Sequence, residues 1–498
     1  MSGITQSFFR VTAFLVLICP VNIFASTTDS TLIRTFGGVN NEEFRDLTLL
    51  SDHGLMIVGT TNGYGAGSNS IYLVRTDSMG NHIWSRTIGG GAVDIGNAIT
   101  SFTDTTFLVA GTSASGSGGG YDGYLALMDT AGSLLWERYY GGTDWDFIND
   151  VAVLPDHSIL LAGESYSYSN GGSDAWALML NSAGDTIFTK HYGGSGNDNF
   201  KSVGVIGSGI YFTGTTDSTD ATGTNGLLVK FDFSGNEIWQ KTTDTGENEF
   251  LNGSCGLLNG NLIIYGGTRA IGGDHSNLFC QELDTSGALI FALASSHSEN
   301  EYINGAAVTH TGTIVLTGQK DPGGFGQKSM FNVHIDDQMV YINSNEVGGG
   351  GDEEGFAAVR TTDNRMAFAG YTTSYGYGNS DGMLVFAPHD TVIESTNSPY
   401  GVTPFFETLS PIFVNEITSD DISVYPNPTV GVLNIQFKNS YGNVNYEIFD
   451  YTGKKIKEGF INGPQAQIHF EGFHDSFYVL RLITPEKEIS FPIINSRE

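Results

Sequence analysis

Positive charge is what this chain has least of. Against 54 Asp and Glu it carries 22 Lys and Arg, a formal net charge of −32 over 498 residues. The deficit is uneven. Residues 421–498 hold 9 acidic and 7 basic side chains, so a charge of −30 lies on the first 420 residues. A field of that sign repels nucleic acid and anionic membrane and argues against both as partners. It accepts cations, neutral glycans and basic proteins.

Cysteine is nearly absent as well, with 3 in the whole chain. Cys19 ends VTAFLVLIC (Val11 to Cys19), an apolar stretch preceded by Arg10 and broken by Pro20. With Ala25 at a cleavage position, residues 1–25 read as an export signal. The run is too short to span a bilayer, and no other segment resembles a transmembrane helix. Past the signal only Cys255 and Cys280 remain. An oxidising destination permits a disulfide between them, and two free buried thiols suit the sequence equally. There is no metal-type Cys/His spacing, no HExxH, no GxSxG elbow, and no P-loop or dinucleotide fingerprint in the right context.

Glycine, by contrast, is abundant at 67 residues, and it is periodic. RTFGG (Arg34 to Gly38), RTIGG (Arg86 to Gly90), RYYGG (Arg138 to Gly142) and KHYGG (Lys190 to Gly194) follow one another at steps of 52 residues. Fainter copies near Lys241, Ala292 and Glu346 bring the count to seven. Self-similarity at this period marks an array whose units bury their apolar faces on one another. The second unit shows the internal order: a run from Gly96 to Phe102, then TFLVAGT (Thr106 to Thr112), GYLALMD (Gly123 to Asp129) and SLLWERYY (Ser133 to Tyr140). These are four short β-rich runs punctuated by Gly and Asp, which read as strands and hairpins rather than helices.

The turns repeat too: DSMG (Asp77 to Gly80), DTAG (Asp129 to Gly132), NSAG (Asn181 to Gly184), DFSG (Asp232 to Gly235) and DTSG (Asp284 to Gly287). Asp or Asn hydrogen-bonds the turn backbone and Gly takes the positive-φ position. Past the turn an aromatic or large apolar residue recurs: Trp84, Trp136, Phe188, Trp239, Phe291 and Tyr341. These side chains are expected to wedge between neighbouring sheets. The whole is therefore an all-β fold, a seven-bladed β-propeller over residues 31–395 with four-stranded blades, an arrangement that hides sheet edges from one another. TLIRTF (Thr31 to Phe36) matches the outer strand of each unit and competes with TVIES (Thr391 to Ser395) to complete the seventh blade.

The motif Gly-Gly, acid, hydrophobic strand, Gly-Thr-Thr, Gly-rich loop, Asp, apolar strand, Asp-x-x-Gly, Trp resembles the bacterial propeller repeats of the SBBP type. Its Asp-x-x-Gly-x-x-x-Trp portion is also similar to the tryptophan-docking motif of quinoprotein dehydrogenases. The resemblance implies a fold, since propellers host many chemistries. One position draws chemical interest because it recurs: Glu42, Asp94, Asp146, Asp198, Glu249, Asn300 and Glu354, near the start of each innermost strand. A ring of carboxylates suits Ca²⁺ or a polar ligand. The same residues suit the capping of backbone N–H groups in a Gly-rich connection. A second recurrent position, Ser70, Asp122, Asp174, Asn225, Asn277, Ser329 and Asp381, precedes each third strand and fits loop capping.

Past an irregular linker (396–420), VYPNPTVGVLNIQF (Val424 to Phe437), YEIFDYTGKKI (Tyr446 to Ile456) and FYVLRLI (Phe477 to Ile483) suggest a small β-sandwich over 421–498. Tyr425, Pro426, Asn427, Pro428 and Gly431, then Ile448, Asp450, Gly453 and Lys454, then Tyr478, resemble the type A C-terminal sorting domain of type IX secretion in Bacteroidetes. That resemblance implies a translocon partner and delivery to the medium or the outer-membrane surface. Ser476 and the tail FPIINSRE (Phe491 to Glu498) depart from the family pattern, at a usual Gly and a usual lysine-rich ending. The expectation is an exported binding or adhesion propeller with glycans or proteins as ligands. A glycan-degrading enzyme with carboxylates at the channel mouth, or a purely structural surface protein, are the alternatives.

Overall fold

The computed structural model describes residues 31–387 apart from 117–119, 219–222, 244, 272, 296–298 and 323–326, and further on 403–406, 422–425, 432–437, 444–450, 454–461, 463, 465–469, 476–483 and 488–495. Among the described residues every regular element is a β-strand. The signal segment, the segment 391–395 and the sorting-motif residues Pro426, Asn427, Pro428, Gly431 and Gly453 lie outside them.

Seven antiparallel sheets follow one another along the chain. Six are four-strand meanders over 42–88, 94–140, 146–192, 198–243, 248–294 and 300–347. In the seventh, strands Glu353–Arg360, Met366–Thr372 and Asp381–Ala387 are joined by the N-terminal strand Leu32–Gly37. That strand pairs antiparallel with the third, placing Thr35 opposite Met383. The short strand Thr403–Phe406 then adds parallel to its free edge.

Burial within a blade follows from its neighbours. In blade three, the second and third strands, Ile159–Ser165 and Asp174–Leu180, are buried almost throughout, because other blades cover both their faces. The first strand, Asp146–Val153, alternates, and the outer strand, Thr186–Tyr192, is largely open. The apolar core is correspondingly divided among the blade boundaries. Met56, Val58 and Leu73 of blade one pack with Phe107, Val109 and Tyr124 of blade two. Leu384 and Phe386 of blade seven share a cluster with Phe44 and Tyr72 of blade one.

Two glycines explain much of the repeat motif. In blade two, Gly111 of the Gly-Thr pair faces a β-bulge in the first strand between Gly96 and Ala98. A Cβ on Gly111 would lie 2.0 Å from the Ile95 carbonyl oxygen, so no side chain fits there. The turn glycine Gly132, at φ +86°, has a second duty besides its backbone conformation. The ring of Trp84 and the guanidinium of Arg86, both from blade one, rest against it, and Trp84 Nε1 donates to the Thr130 carbonyl. Arg86 also lies over the Trp84 ring, a cation–π contact at 5.6 Å. Arg138 with Trp136, Lys190 with Phe188 and Lys241 with Trp239 repeat it. The leading cation of RTIGG and the turn Asp-x-x-Gly are thus two halves of one contact between blades.

That contact fails where expected residues depart from the pattern. Phe291 is 41 % exposed. In the facing turn Met339 stands at the glycine position, with φ 60° and its side chain buried in the cluster between blades five and six. Tyr341 is not the equivalent of Trp84. Its partner Ile335 corresponds to Thr76, which pairs with His82, so Asn343 holds that position and Tyr341 is exposed.

The C-terminal segment forms two further antiparallel sheets, one of three strands and one of four. They share one apolar cluster, in which Leu433 and Ile435 of the first meet Ile448, Leu480 and Ile493 of the second.

Candidate functional site

The recurrent carboxylates open the first strands, as expected, but their register shifts in the last two blades. The buried residues are Glu42, Asp94, Asp146, Asp198, Glu249, Glu301 and Glu353, so all seven are acidic. Asn300 and Glu354 are neighbours of the true positions, not members of the set. Asn300 instead accepts from the Ser276 amide, as Asn248 does from the Thr224 amide. Glu354 accepts from Asn304 Nδ2 at 2.9 Å, and burial raises its pKa.

What the seven do is visible at Asp146. It takes the Gly142 amide at 2.8 Å, the Ser165 hydroxyl at 2.5 Å and the Ser167 hydroxyl at 2.6 Å. Glu42 takes the Gly38 amide and the Thr61 hydroxyl, and Glu353 the Gly349 amide and the Thr372 hydroxyl. Six of the seven accept a backbone amide of the connection from the preceding blade, and hydroxyls from the second strand or its loop complete the shell at Glu42, Asp94, Asp146, Asp198 and Glu353, while Glu301 faces Lys320 at 4.0 Å. Calcium fits this ring poorly, because the carboxylates come one per blade, are buried, and face protein donors. Among the described residues, no three His, Cys, Asp or Glu side chains form a metal-binding group.

The third-strand acids sit against these caps. A Cβ on Gly141 would lie 2.3 Å from Asp122 Oδ1 and 2.7 Å from Asp146 Oδ2. Burial, then the charge of Asp146, raises the pKa of Asp122, and the same pair of causes acts on Asp174 beside Asp198.

Three residues past each cap the first strand bulges, and the bulged residues line a cavity of about 180 Å³. Contributors from all seven blades are Arg45, Asn97, Asn149, Lys201, Asn252, Asn304 and Phe356. Four of these asparagines reach to the next blade: Asn97 to the Ile148 carbonyl, Asn149 to that of Phe200, Asn252 to that of Ile303 and Asn304 to that of Gly355. Beside them Asp46 accepts from the Ile99 amide and Asp150 from the Val203 amide. Both acids keep some solvent contact along the cavity but are walled in by protein. Burial, then the charge of Asp150, pushes Asp46 up to about 8, and burial pushes Asp150 up to about 6. The sequence signal for this ring is the spacing of the four asparagines, each three residues beyond its cap.

Blade three carries an aromatic residue at a position where the other blades have none. Trp145, directly before its cap, is 51 % exposed. The equivalent residues are Asn41, Val93, Asn197, Asn248, Asn300 and Asp352. Tyr121, Phe147 and Tyr166 surround Trp145 edge-on, with ring centres at 5.9, 6.5 and 6.3 Å. The Tyr166 amide donates to the Trp145 carbonyl, the Asp144 amide to Ser167 Oγ, and the Tyr168 hydroxyl to the Gly141 carbonyl. The loop Tyr166-Ser167-Tyr168 is therefore clamped along the connection Gly141 to Trp145. Beyond Tyr168 opens a cleft of about 380 Å³, where Tyr139 and Tyr140 of blade two face Trp176 and His191 of blade three.

Cys255 and Cys280 are free thiols on the first and third strands of blade five, with the second strand between them, so the disulfide alternative falls. Burial raises both thiol pKa values, Cys255 to about 11. In the C-terminal segment Tyr478 is buried and pairs with Asp450, whose Oδ1 accepts from the Lys454 amide, while Tyr425 is exposed.

Comparison with known proteins reaches both parts. Regulatory protein FlaEY of Caulobacter vibrioides is 21 % identical over 364 residues, covering 66 % of this chain and 35 % of FlaEY. The chain thus spans about a third of that relative's length, 35 %. Among solved structures, the extracellular region of Plexin A4 is similar at TM-score 0.45 and 9 % identity, covering 92 % of this chain and 62 % of that one. The β-propeller domain of the Trilobed protease from Pyrococcus furiosus is similar at 0.42 and 9 %, covering 73 % and 99 %. No helix among the described residues is long and apolar enough to cross a membrane. Residues 423–494 match the family described as Secretion system C-terminal sorting domain, which marks the chain for export by type IX secretion to the cell surface or beyond.

Proposed function

We propose that the seven blades form a closed propeller, with Leu32–Gly37 as the clasp, and that it acts as an exported binding or adhesion module. The sorting domain, a small β-sandwich on this reading, delivers it through the type IX translocon. The observation that carries the binding reading is the exposed Trp145, ringed by the half-buried Tyr121, Phe147 and Tyr166 and replaced by mostly polar residues at the equivalent position of the other six blades. An exposed tryptophan held in place by a hydrogen-bonded loop and neighbouring rings is a contact surface rather than a packing residue. The catalytic alternative finds less support, since the strand-start carboxylates are engaged by amides and hydroxyls and reach no open surface.

The test is retention of the exported protein on immobilised extracellular polysaccharides and surface proteins of its host's habitat. Trp145→Ala should abolish retention with an unchanged thermal melt. Equal retention by the variant and the wild type would remove this face from consideration.

A further inference from the structure

The cleft between blades two and three has an unusual lining, in that none of its residues carries a fixed charge. It consists of aromatic rings, hydroxyls and one imidazole: Tyr139, Tyr140, Tyr168, Trp176, Thr189 and His191 among them. The corresponding cleft between blades five and six, lined by Glu301 and Lys320, is charged. His191 stacks on Trp176, with the planes 11° apart and the centres at 6.0 Å, and its ring lies 5.3 Å from that of Tyr168. Its Nε2 is buried and has no hydrogen-bond partner in the protein. Burial lowers the imidazole pKa, which favours the neutral ring.

We infer that this cleft is a sugar subsite, seating one uncharged pyranose or furanose ring of a glycan, and that the glycan is what the blade-three face binds. The inference rests on the binding reading above. Three features select this chemistry. A neutral imidazole nitrogen donates or accepts according to its tautomer, and a sugar hydroxyl, being both donor and acceptor, satisfies either form. The Tyr168, Tyr140 and Thr189 hydroxyls are each used once, towards the Gly141 carbonyl, the Gly184 carbonyl and from Trp176 Nε1, and each keeps capacity for a further hydroxyl. Tyr168, 53 % exposed, offers a ring face of the kind on which the C–H side of a sugar lies flat. An anionic sugar has no cation in this lining to meet it, and it must approach a strongly negative domain. The volume, about 380 Å³, is at the small end of ligand pockets, which run from roughly 300 to 1,000 Å³. Because the loop that carries Tyr168 is clamped to Trp145, a chain leaving the cleft has the Trp145 cluster beside it.

The experiment titrates the full-length protein with methyl glycosides of glucose, galactose, mannose, xylose and N-acetylglucosamine, read by saturation-transfer NMR. Methyl glucuronoside and an apolar probe, indole, run in parallel. At least one neutral glycoside should bind, and His191→Ala or Tyr168→Ala should weaken it by about tenfold, the order of one lost hydrogen bond or ring contact. His191→Gln, which keeps a polar group, should recover part of the affinity and guards against a folding artefact. Binding of indole or the glucuronoside alone, or glycoside binding indifferent to both cleft variants, overturns the inference. If Trp145-dependent retention persists on a protein ligand while no glycoside binds, the subsite falls and the binding reading stands. If wild type is retained on nothing and binds no glycoside, both fall together.

Discussion

The boundary between blades one and two and the boundary between blades five and six are built from the same strands in the same order, yet only the first holds its outer strand down. At the first, Trp84 and Arg86 lie on Gly132 and bond the neighbouring turn. At the second, Met339 fills the glycine position from its own side and Phe291 is left half in solvent. A propeller blade is therefore closed at its rim by the neighbour's turn, and one Cβ decides whether it is. The inner half of the blade is indifferent to this, since the bulge and the buried acidic residue at the strand start recur in both pairs of blades, and a polar side chain bridges each boundary, Asp46 to the Ile99 amide at the first and Asn252 to the Ile303 carbonyl at the second.

The largest expected effect lies in that shared inner half. Gly111→Ala puts a methyl 2.0 Å from the Ile95 carbonyl, and the chain should lose at least about 3 kcal/mol in urea denaturation, a severe class of loss tied to backbone displacement. A mild phenotype would show that the bulge yields. At the rim, Trp84→Ala should cost about 2–3 kcal/mol, since the ring is only partly buried, whereas Phe291→Ala should fall within about 0.5 kcal/mol of wild type. Equal losses would dissolve the contrast. Gly132→Met carries the comparison across: it strains a φ of +86° and should expose Trp84, seen as red-shifted fluorescence with a loss of about 1–2 kcal/mol or more.

The smallest effect is in the cavity lined by the bulges. Asp46 holds its proton up to about 8, well above an unfolded Asp near roughly 3.9. The folded state thus binds that proton more tightly. Its contribution to stability is complete below about pH 4 and is lost as pH rises through about 8, with Asp150 adding a lower step near 6. The denaturation midpoint should decline between about pH 5 and 9, and Asp46→Asn should flatten the upper part of that decline. A midpoint rising with pH in both proteins would contradict the assignment.

The blades were legible because their turn glycines, acids and outer aromatics recur at a fixed step, and each recurrence has a local cause. The candidate site was less so. In blade six no glycine pair marks the unit, and in blade seven the run Gly348 to Gly351 admits two alignments, so the cap was expected at Asn300 and Glu354 instead of Glu301 and Glu353. The set of residues lining the cavity depends on a bulge, which changes which side chains face it without any change of residue type. Trp145 stood in the sequence as one aromatic among many, and only comparison with the six equivalent positions sets it apart.

By itself, then, the amino-acid order determined the blade, its turns and the sorting motif, all of which rest on contacts within or between consecutive units, while the choice of Leu32–Gly37 as the seventh blade's outer strand came from its pairing with the third. Tertiary structure alone decided that the recurrent acids are tethers, that Asp46 and Asp150 line one cavity, and that Tyr139, Tyr168, Trp176 and His191 meet in one cleft. Those juxtapositions join strands from different blades, and the distance between two blades is set by how their side chains pack, which no spacing along the chain records.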